Sequence, residues 1–413
     1  MKRILLSLVL VVLIVGIAVA GCAKPTPSPT TTPTPGPTKT LDIGIVAPLT
    51  GASAFLGTHI HNAILLAIDD QNAQGGVTVA GEKYVLNPII RDSKFDVVVA
   101  KNVTEELVFD KKVKVIAGPM VGDAVGAQIV TEKNKILLLA AFAAVPGLCK
   151  PEKPYSFFPG GYPLLISING AGYIQKFYPE AKTVVATPVD IPDAQAWLTA
   201  IEIVCPRYGF ESLGYEKVPA NTTNFIPVIT RILDKKPDII NTSSLGSAMA
   251  AGSPLFIKQL REAGFKGIIW CPTLPPPDAM QEIVPKQYLN KIVTNDIVVD
   301  SPVVSQAYKD MYQKSVKKFG IPPIDVSGEM YNGVKAFFEF LNTQNTMDST
   351  ALMEGFAKYH WQGIWGDEAF WVGKPLYGID RVLLWGFWAS EWTDGKPETK
   401  WAAPIPMDLF VEE

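Results

Sequence analysis

The sequence has 413 residues, 48% of them hydrophobic, and a formal charge of −3 at neutral pH. A mildly acidic chain without a basic tract gives no footing for nucleic acid, and the length beyond residue 40 exceeds one ordinary domain and suits two. Apart from Cys22 the cysteines are Cys149, Cys205 and Cys271, an odd number with no CxxC pair and no neighbouring histidine, so buried apolar thiols are expected in place of a disulfide scaffold.

The chain opens with Lys2 and Arg3, then runs from Ile4 to Ala20 with Ser7 as its one polar side chain, the layout of an export signal. A membrane-spanning helix is the alternative for an apolar run of this length. The run instead ends in Ala18, Ala20 and Gly21 directly before Cys22, and no basic stop-transfer cluster follows. Val19-Ala20-Gly21-Cys22 therefore reads as a lipobox: residues 1–21 are a lipoprotein signal peptide and Cys22 carries the lipid. Two acyl chains hold a protein stably on a bilayer, which one chain does only marginally. The expected location is the outer side of the cytoplasmic membrane, at the cell surface or in the periplasm. From Lys24 to Thr40 there are six prolines and seven threonines, which cannot bury apolar surface and favour extended polyproline II. At ~3.1 Å per residue this tether, residues 22–40, reaches on the order of 50 Å.

From Leu41 onward short β-branched runs alternate with segments of helical period, which predicts parallel α/β units. "LDIGIVAP" is the first strand and Ile60 to Ala73 the first helix, stopped by Gly75 and Gly76. "YVLNPIIRD", the helix Val97 to Phe109, "VKVIAGP", the helix Asp123 to Asn134 and "KILLLAA" continue the alternation. After "KPYSFFPGGYP" it begins again, with helices over Leu164 to Tyr178, Ala194 to Arg207 and Asn224 to Lys235, and one ending at "QLREAGF". The strands between and after them are "TVVATPV", "SLGYEKVP", "PDIINTSS" and "GIIWCP". Past "KIVTNDIVV" come helices at Pro302 to Phe319, Val326 to Leu341 and Ser349 to Tyr359, then aromatic strands from "AFWVG" and "RVLLWGFWASEW". The fold class is α/β, with two doubly wound lobes in tandem.

Several stretches in this order and spacing resemble the branched-chain amino acid type of extracellular solute-binding protein, the type I periplasmic-binding fold that serves ABC importers. They are "IGIVAPLTGASAFLG", "NAILLAIDDQNAQGGV", "VKVIAGPMVGDAV", "KPDIINTSS", "FIKQLREAGFKG" and "GKPLYGIDRVLLWGFW". The resemblance covers about Leu41 to Trp392. It implies that the chain crosses between lobes three times through a three-strand hinge, near Pro159 to Pro163, Lys291 to Asp300 and Leu384 to Ser390. Residues 41–161 with 295–385 would then form lobe 1, and 162–294 with 386–413 lobe 2.

Ligands of open α/β sheets lie beyond the carboxyl ends of the strands, where helix N-termini point outward. Those ends offer Thr50, Gly51, Phe55 and Leu56 after the first strand, Met120, Gly122 and Asp123 after the third, and Ala141, Phe142 and Ala143 after the fourth. In the resembled family these three loops hold an amino acid's carboxylate and ammonium, and a hydroxyl is common where this chain has Ala143. The second lobe offers Tyr162, Asp190, Ser243, Ser244, Thr273 and Leu274. The carboxylate with which the family often pairs the ammonium is replaced here by the run Thr273 to Pro277. Asp190 and Asp278 are possible substitutes, or else a loop cap and a helix N-cap. Burying an ammonium without a carboxylate costs several kcal/mol, so a mainly apolar or aromatic body with an acidic or amide head is expected over a zwitterion.

Other polar residues have plainer readings. His59 and His61 are two apart at a helix start and point to different faces, so no metal site is expected. Asp69 and Asp70 read as a solvated helix end, and the seven of nine tryptophans between Trp361 and Trp401 as core and hinge packing. The sequence holds no GxSxG, P-loop, HExxH or Cys-His nucleophile signature, so it reads as a non-enzyme without a cofactor. The expected function is capture of a small-molecule ligand between two lobes and delivery to membrane-bound ABC permease subunits, with the bilayer engaged through acylated Cys22. A sensory component reporting to a membrane receptor is the alternative on the same fold.

Overall fold

The computed structural model describes residues 39–411 apart from 52, 160–162, 191–193, 220–221, 243–244, 246–251, 272–273, 275–276, 296, 385–386 and 404–405. Strand β1 (Lys39–Ala47) is buried on both faces from Ile45 to Ala47, which is the mark of a central parallel strand. Around it stand β2 (Val77–Val79), β3 (Glu82–Asp92), β4 (Val115–Met120), β5 (Leu137–Ala141) and β6 (Ser156–Phe157), in the order β2-β3-β1-β4-β5-β6. All neighbours are parallel except the hairpin β2-β3.

The helices of this half are α1 (Ala54–Ala73), α2 (Val97–Phe109) and α3 (Val121–Lys133). The first begins six residues before the expected Ile60, so Phe55 and Leu56 lie in its opening turn and not in a loop. Gly57 permits this: a Cβ there would stand 1.9 Å from the Pro48 carbonyl oxygen, so only glycine lets the helix start so close to the strand. The third begins at Val121 with no loop after β4, two residues ahead of the expected Asp123, because Asp123 closes its first turn by accepting from the Met120 amide at 2.6 Å. The hairpin β2-β3 was not expected. Its two-residue turn, Ala80 and Gly81, has φ of 52° and 78°, the signature of a type I′ turn.

The second sheet runs β17-β16-β11-β10-β9-β7-β8. Its parallel strands are β7 (Thr183–Ala186), β8 (Glu211–Tyr215), β9 (Ile239–Asn241), β10 (Ile268–Trp270) and β11 (Ile292–Thr294). Helices α4 (Pro163–Phe177), α5 (Ala194–Arg207), α6 (Ile226–Asp234), α7 (Gly252–Glu262) and α8 (Pro277–Ile283) connect them. The chain then supplies α9 (Gln306–Phe319), α10 (Asp325–Leu341) and α11 (Ser349–Phe356). The expected start of α9 at Pro302 moves to Gln306 because Ser305 caps it, its hydroxyl accepting from the Tyr308 amide. Two small ladders follow, β12 (Trp361–Gln362) with β13 (Glu368–Ala369) and β14 (Trp371–Val372) with β15 (Val382–Leu383). A hairpin, β16 (Phe387–Thr393) and β17 (Lys396–Ala403), closes the sheet; it turns on Asp394 and Gly395, both left-handed.

Three passages join the two sheets. Phe157 ends β6 of the first sheet and Pro163 opens α4, which packs on the second: Asn169 Nδ2 donates to the Trp388 carbonyl at 2.7 Å, and Gly170 lies against the Trp270 ring. Thr294 ends β11, and α9 then returns to α1 through Lys314 and Asp70 at 2.8 Å. Leu383 ends β15 beside Phe158, and Phe387 opens β16. The aromatic cluster is core: Phe157, Phe356, Trp361 and Trp371 meet at ring separations from 4.9 to 6.4 Å. Asp70 is no solvated helix end, since it also accepts from Tyr331 at 2.5 Å and so bolts α1 to α10. All three described cysteines are buried, and burial pushes the Cys149 and Cys205 thiols up to about 12.

Candidate functional site

The carboxyl ends of β3, β1, β4 and β5 lie side by side, so their loops form one rim. On it the structure gathers Thr50 and Gly51, the α1 opening turn with Phe55 and Leu56, Met120 and Gly122, and Phe142 and Ala143. Thr50 and Gly51 are exposed and Phe55 is 46% exposed, while Met120, Ala141 and Ala143 are buried. The rim is stiffened by Asp92 at the end of β3, which the sequence reading passed over. Its carboxylate accepts from the Thr50 hydroxyl at 2.6 Å and from the Leu49 and Lys94 amides at 2.9 Å. Burial alone would raise its pKa; the hydrogen bonds from Thr50, Lys94 and Leu49 outweigh it and hold the group below the usual carboxylate range.

Three non-glycine residues on the rim adopt left-handed backbone: Lys94 at φ 56°, Phe95 at 57° and Phe142 at 51°. Such conformations persist where the surroundings impose them and cluster at ligand-binding loops. Phe95 uses its turn to lie on Gly122, where a Cβ would stand 2.7 Å from its ring.

Asp123 faces inward. It is fully buried and accepts from Ser93 Oγ and the Met120 amide, so its charge answers the positive end of α3 from within. Burial pushes its pKa up to about 6 against those hydrogen bonds. By contrast α1 has no acidic residue in its first turn and no side-chain cap from Ser53. Its N-terminus, beside Thr50 and Gly51, therefore favours an anion.

On the second sheet Asp190 is exposed and ion-paired with Lys217 at 3.0 Å, and Leu274 is buried in the core of that half. Asp278 is exposed in the first turn of α8. Tyr162, Ser243, Ser244 and Thr273 lie outside the described residues, as does Cys22. His59 is buried against Phe55, ring centroids 4.7 Å apart, and burial lowers its pKa to about 4, so it is a neutral core imidazole. No helix among the described residues is long and apolar enough to cross a membrane.

The sequence reading also missed Asp325 and Glu329. They lie one turn apart at the start of α10 and are 6% and 0% exposed. Burial pushes the Asp325 pKa up to about 6; burial and then the Asp325 charge raise that of Glu329. The signal was present in "DVSGE", two acids four apart opening a helix otherwise rich in Val, Met and Phe. A carboxyl whose folded pKa lies above its unfolded value favours folding while protonated, and that contribution is lost as pH rises from about 4 through about 6. Asp325→Asn is therefore expected to gain stability on the wild type by on the order of 3 kcal/mol between pH 4 and pH 7 in ligand-free protein. Urea titrations of both proteins at the two pH values check this; a difference independent of pH would contradict it.

Comparison with known proteins agrees with the geometry. Residues 40–375 match the family described as periplasmic binding protein. A Leu/Ile/Val-binding protein, BraC3, of Rhizobium johnstonii is 31% identical over 111 residues, which is 27% of this chain and 29% of that protein. The branched-chain amino acid transporter substrate-binding protein LivJ of Streptococcus pneumoniae, solved with isoleucine, superposes with a TM-score of 0.70 at 19% identity, covering 88% of this chain and 99% of that one. A solute-binding protein of an ABC transporter from R. palustris, solved with benzoate, superposes at 0.69 and 17% identity, covering 91% and 98%. With the family match spanning most of its length and two mainly parallel sheets joined by three passages, the chain belongs to the periplasmic binding protein family, a family of binding proteins and not of enzymes.

Proposed function

We propose that this protein is a membrane-anchored, extracytoplasmic solute-binding protein that captures a small organic solute between its two lobes and delivers it to an ABC importer. The observation that carries the reading is the rim at β1, β4 and β5, where the open N-terminus of α1 stands beside a loop locked by Asp92. An anionic or amide head group fits there, held by backbone donors near Thr50, Gly122 and Ala143. Phe55, Leu56, Met120, Phe142 and Leu274, with Tyr162, would supply an apolar wall, and burying a side chain of leucine size against it contributes about 1.5–3 kcal/mol. Isoleucine and benzoate, bound in the two solved relatives, both join a carboxylate to an apolar body. Cys22 carries the lipid, and the Pro/Thr tether holds the body off the membrane.

Ligand binding is expected to close the lobes on the three passages, with affinity reduced by the free energy of closure. The test compares protein as purified with protein stripped by unfolding and refolding. Small-angle scattering should give a smaller radius of gyration for the first, and native mass spectrometry should find a retained small molecule in it. Equal radii despite a retained ligand would sink the hinged-capture reading.

A further inference from the structure

No basic tract runs along the chain, but the first sheet assembles one from two turns. Lys111, Lys112 and Lys114 lead into β4, and Lys133 and Lys135 lead into β5. All five are exposed. The two strands are neighbours with Val115 beside Leu137, so the turns lie together at the amino end of the sheet, one strand spacing of about 4.8 Å apart. No ion pair among the described residues involves these lysines; Lys111 acts at longer range on Glu106, which Arg91 already holds. Most acids nearby are engaged: Glu105 with Lys101, Glu132 with Ser156 and Asp42 with Asn87. That leaves Asp110 to oppose the five, and on the next turn, before β6, Glu152 stands between Lys150 and Lys153.

Two further features mark this end. Lys112 and Lys135 hold left-handed backbone, at φ 58° and 56°, in turns where glycine or asparagine is the unstrained choice. Lysine there brings charge at a cost in backbone strain. Phe109, the last residue of α2, is 49% exposed two residues before Lys111. An exposed ring beside lysines suits a lipid interface, where the ring enters the headgroup layer and the ammonium groups meet phosphate. The equivalent end of the second sheet differs. There Lys236 and Lys266 line a hollow of about 390 Å³ together with Glu180 and Asp238, and Phe265 is buried.

The folded body also begins at this end. Gly44 of β1 stands beside Ile116 of β4, so Asp42 is level with Lys114, and Lys39, where β1 starts, lies three residues further out, about 10 Å. A chain leading from Cys22 therefore joins the body on the lysine side. The pole nearest that root meets the bilayer at the highest effective concentration. We propose that Lys111, Lys112, Lys114, Lys133 and Lys135, with Phe109, form a membrane-facing surface that rests on anionic lipid headgroups. The inference rests on the lipid-anchor reading and adds the pose of the undocked body: the rim at the carboxyl ends of the same strands points away from the bilayer. Each lysine close to an anionic leaflet strengthens the attraction about fivefold, and the effect fades within a Debye length. The patch thus orients the body and is too salt-sensitive to replace the anchor.

The test uses the mature chain on vesicles of phosphatidylcholine alone or with about one third phosphatidylglycerol, and reads acetylation of each lysine by mass spectrometry. On the anionic vesicles the five lysines are expected to react at least about fivefold more slowly than on the neutral ones, with Lys236 and Lys266 unchanged and the difference lost at about 1 M salt. Combining Lys111→Glu, Lys112→Glu and Lys135→Glu should cancel the slowing at Lys133; the wild-type comparison decides the matter by itself should that variant fail to fold. Equal labelling on the two vesicles, in protein that floats with both, would overturn the surface and leave the anchor intact. Slowing shared equally by Lys236 and Lys266 would likewise overturn it. Flotation with anionic vesicles only would refute the anchor and support the surface, and flotation with neither would overturn both.

Discussion

Gly126→Val is expected to lower the unfolding free energy by about 3 kcal/mol or more, the largest effect of any single replacement considered. Gly126 is the point at which α3 passes over α2. A Cβ there would stand 2.0 Å from the Val97 carbonyl oxygen and 2.9 Å from the Lys101 amide nitrogen. Both obstacles are backbone atoms within a helix, so no rotamer change relieves the clash and the helices must separate. Separation would open the layer over buried Ala100, Leu107, Ala127 and Val130. Gly147→Ala is the control: its Cβ would meet nothing within 4 Å, and a change within about 0.5 kcal/mol is expected. Urea unfolding of the three proteins checks the difference. Equal midpoints for Gly126→Val and wild type would mean that the helices do not cross as described.

Cys22→Ser is expected to move the protein from the membrane to the soluble fraction and to abolish incorporation of a labelled fatty acid. On the lipobox reading each buried methylene contributes about 0.8 kcal/mol, so losing both acyl chains would remove the whole anchoring energy. Ligand affinity and unfolding free energy should stay at their wild-type values, because the sequence from Lys24 to Thr38 is too rich in proline and threonine to add apolar surface to a core. Label incorporated at the parental level would refute the lipobox.

The fold was legible because its signals are local. Strand β1, helix α2 and the stop at Gly75 and Gly76 rest on residues contiguous in the chain, whose period and turn chemistry identify them directly. The Asp394-Gly395 turn was equally readable, and its neglect cost the hairpin β16-β17. Ala80-Gly81 carries a weaker signal, because alanine rarely takes the left-handed region that its turn requires.

The rim was partly legible. Strand ends name Thr50, Gly122 and Ala143, since the carboxyl end of a parallel strand is a place that the chain's order defines. Burial and partner choice were not. Asp123 was expected to face a ligand and faces Ser93, thirty residues earlier, because α3 starts without a loop. Asp92 was overlooked because two of its three partners, Leu49 and Thr50, come from the loop after β1.

The sequence alone was enough to identify an α/β chain without a known catalytic motif, both of them properties of adjacent residues. Only the tertiary structure buried Asp325 and Glu329 at the start of α10. Pro159 and Tyr308 press on their helix from outside it, and a carboxylate's charge state depends on the solvent that such neighbours exclude.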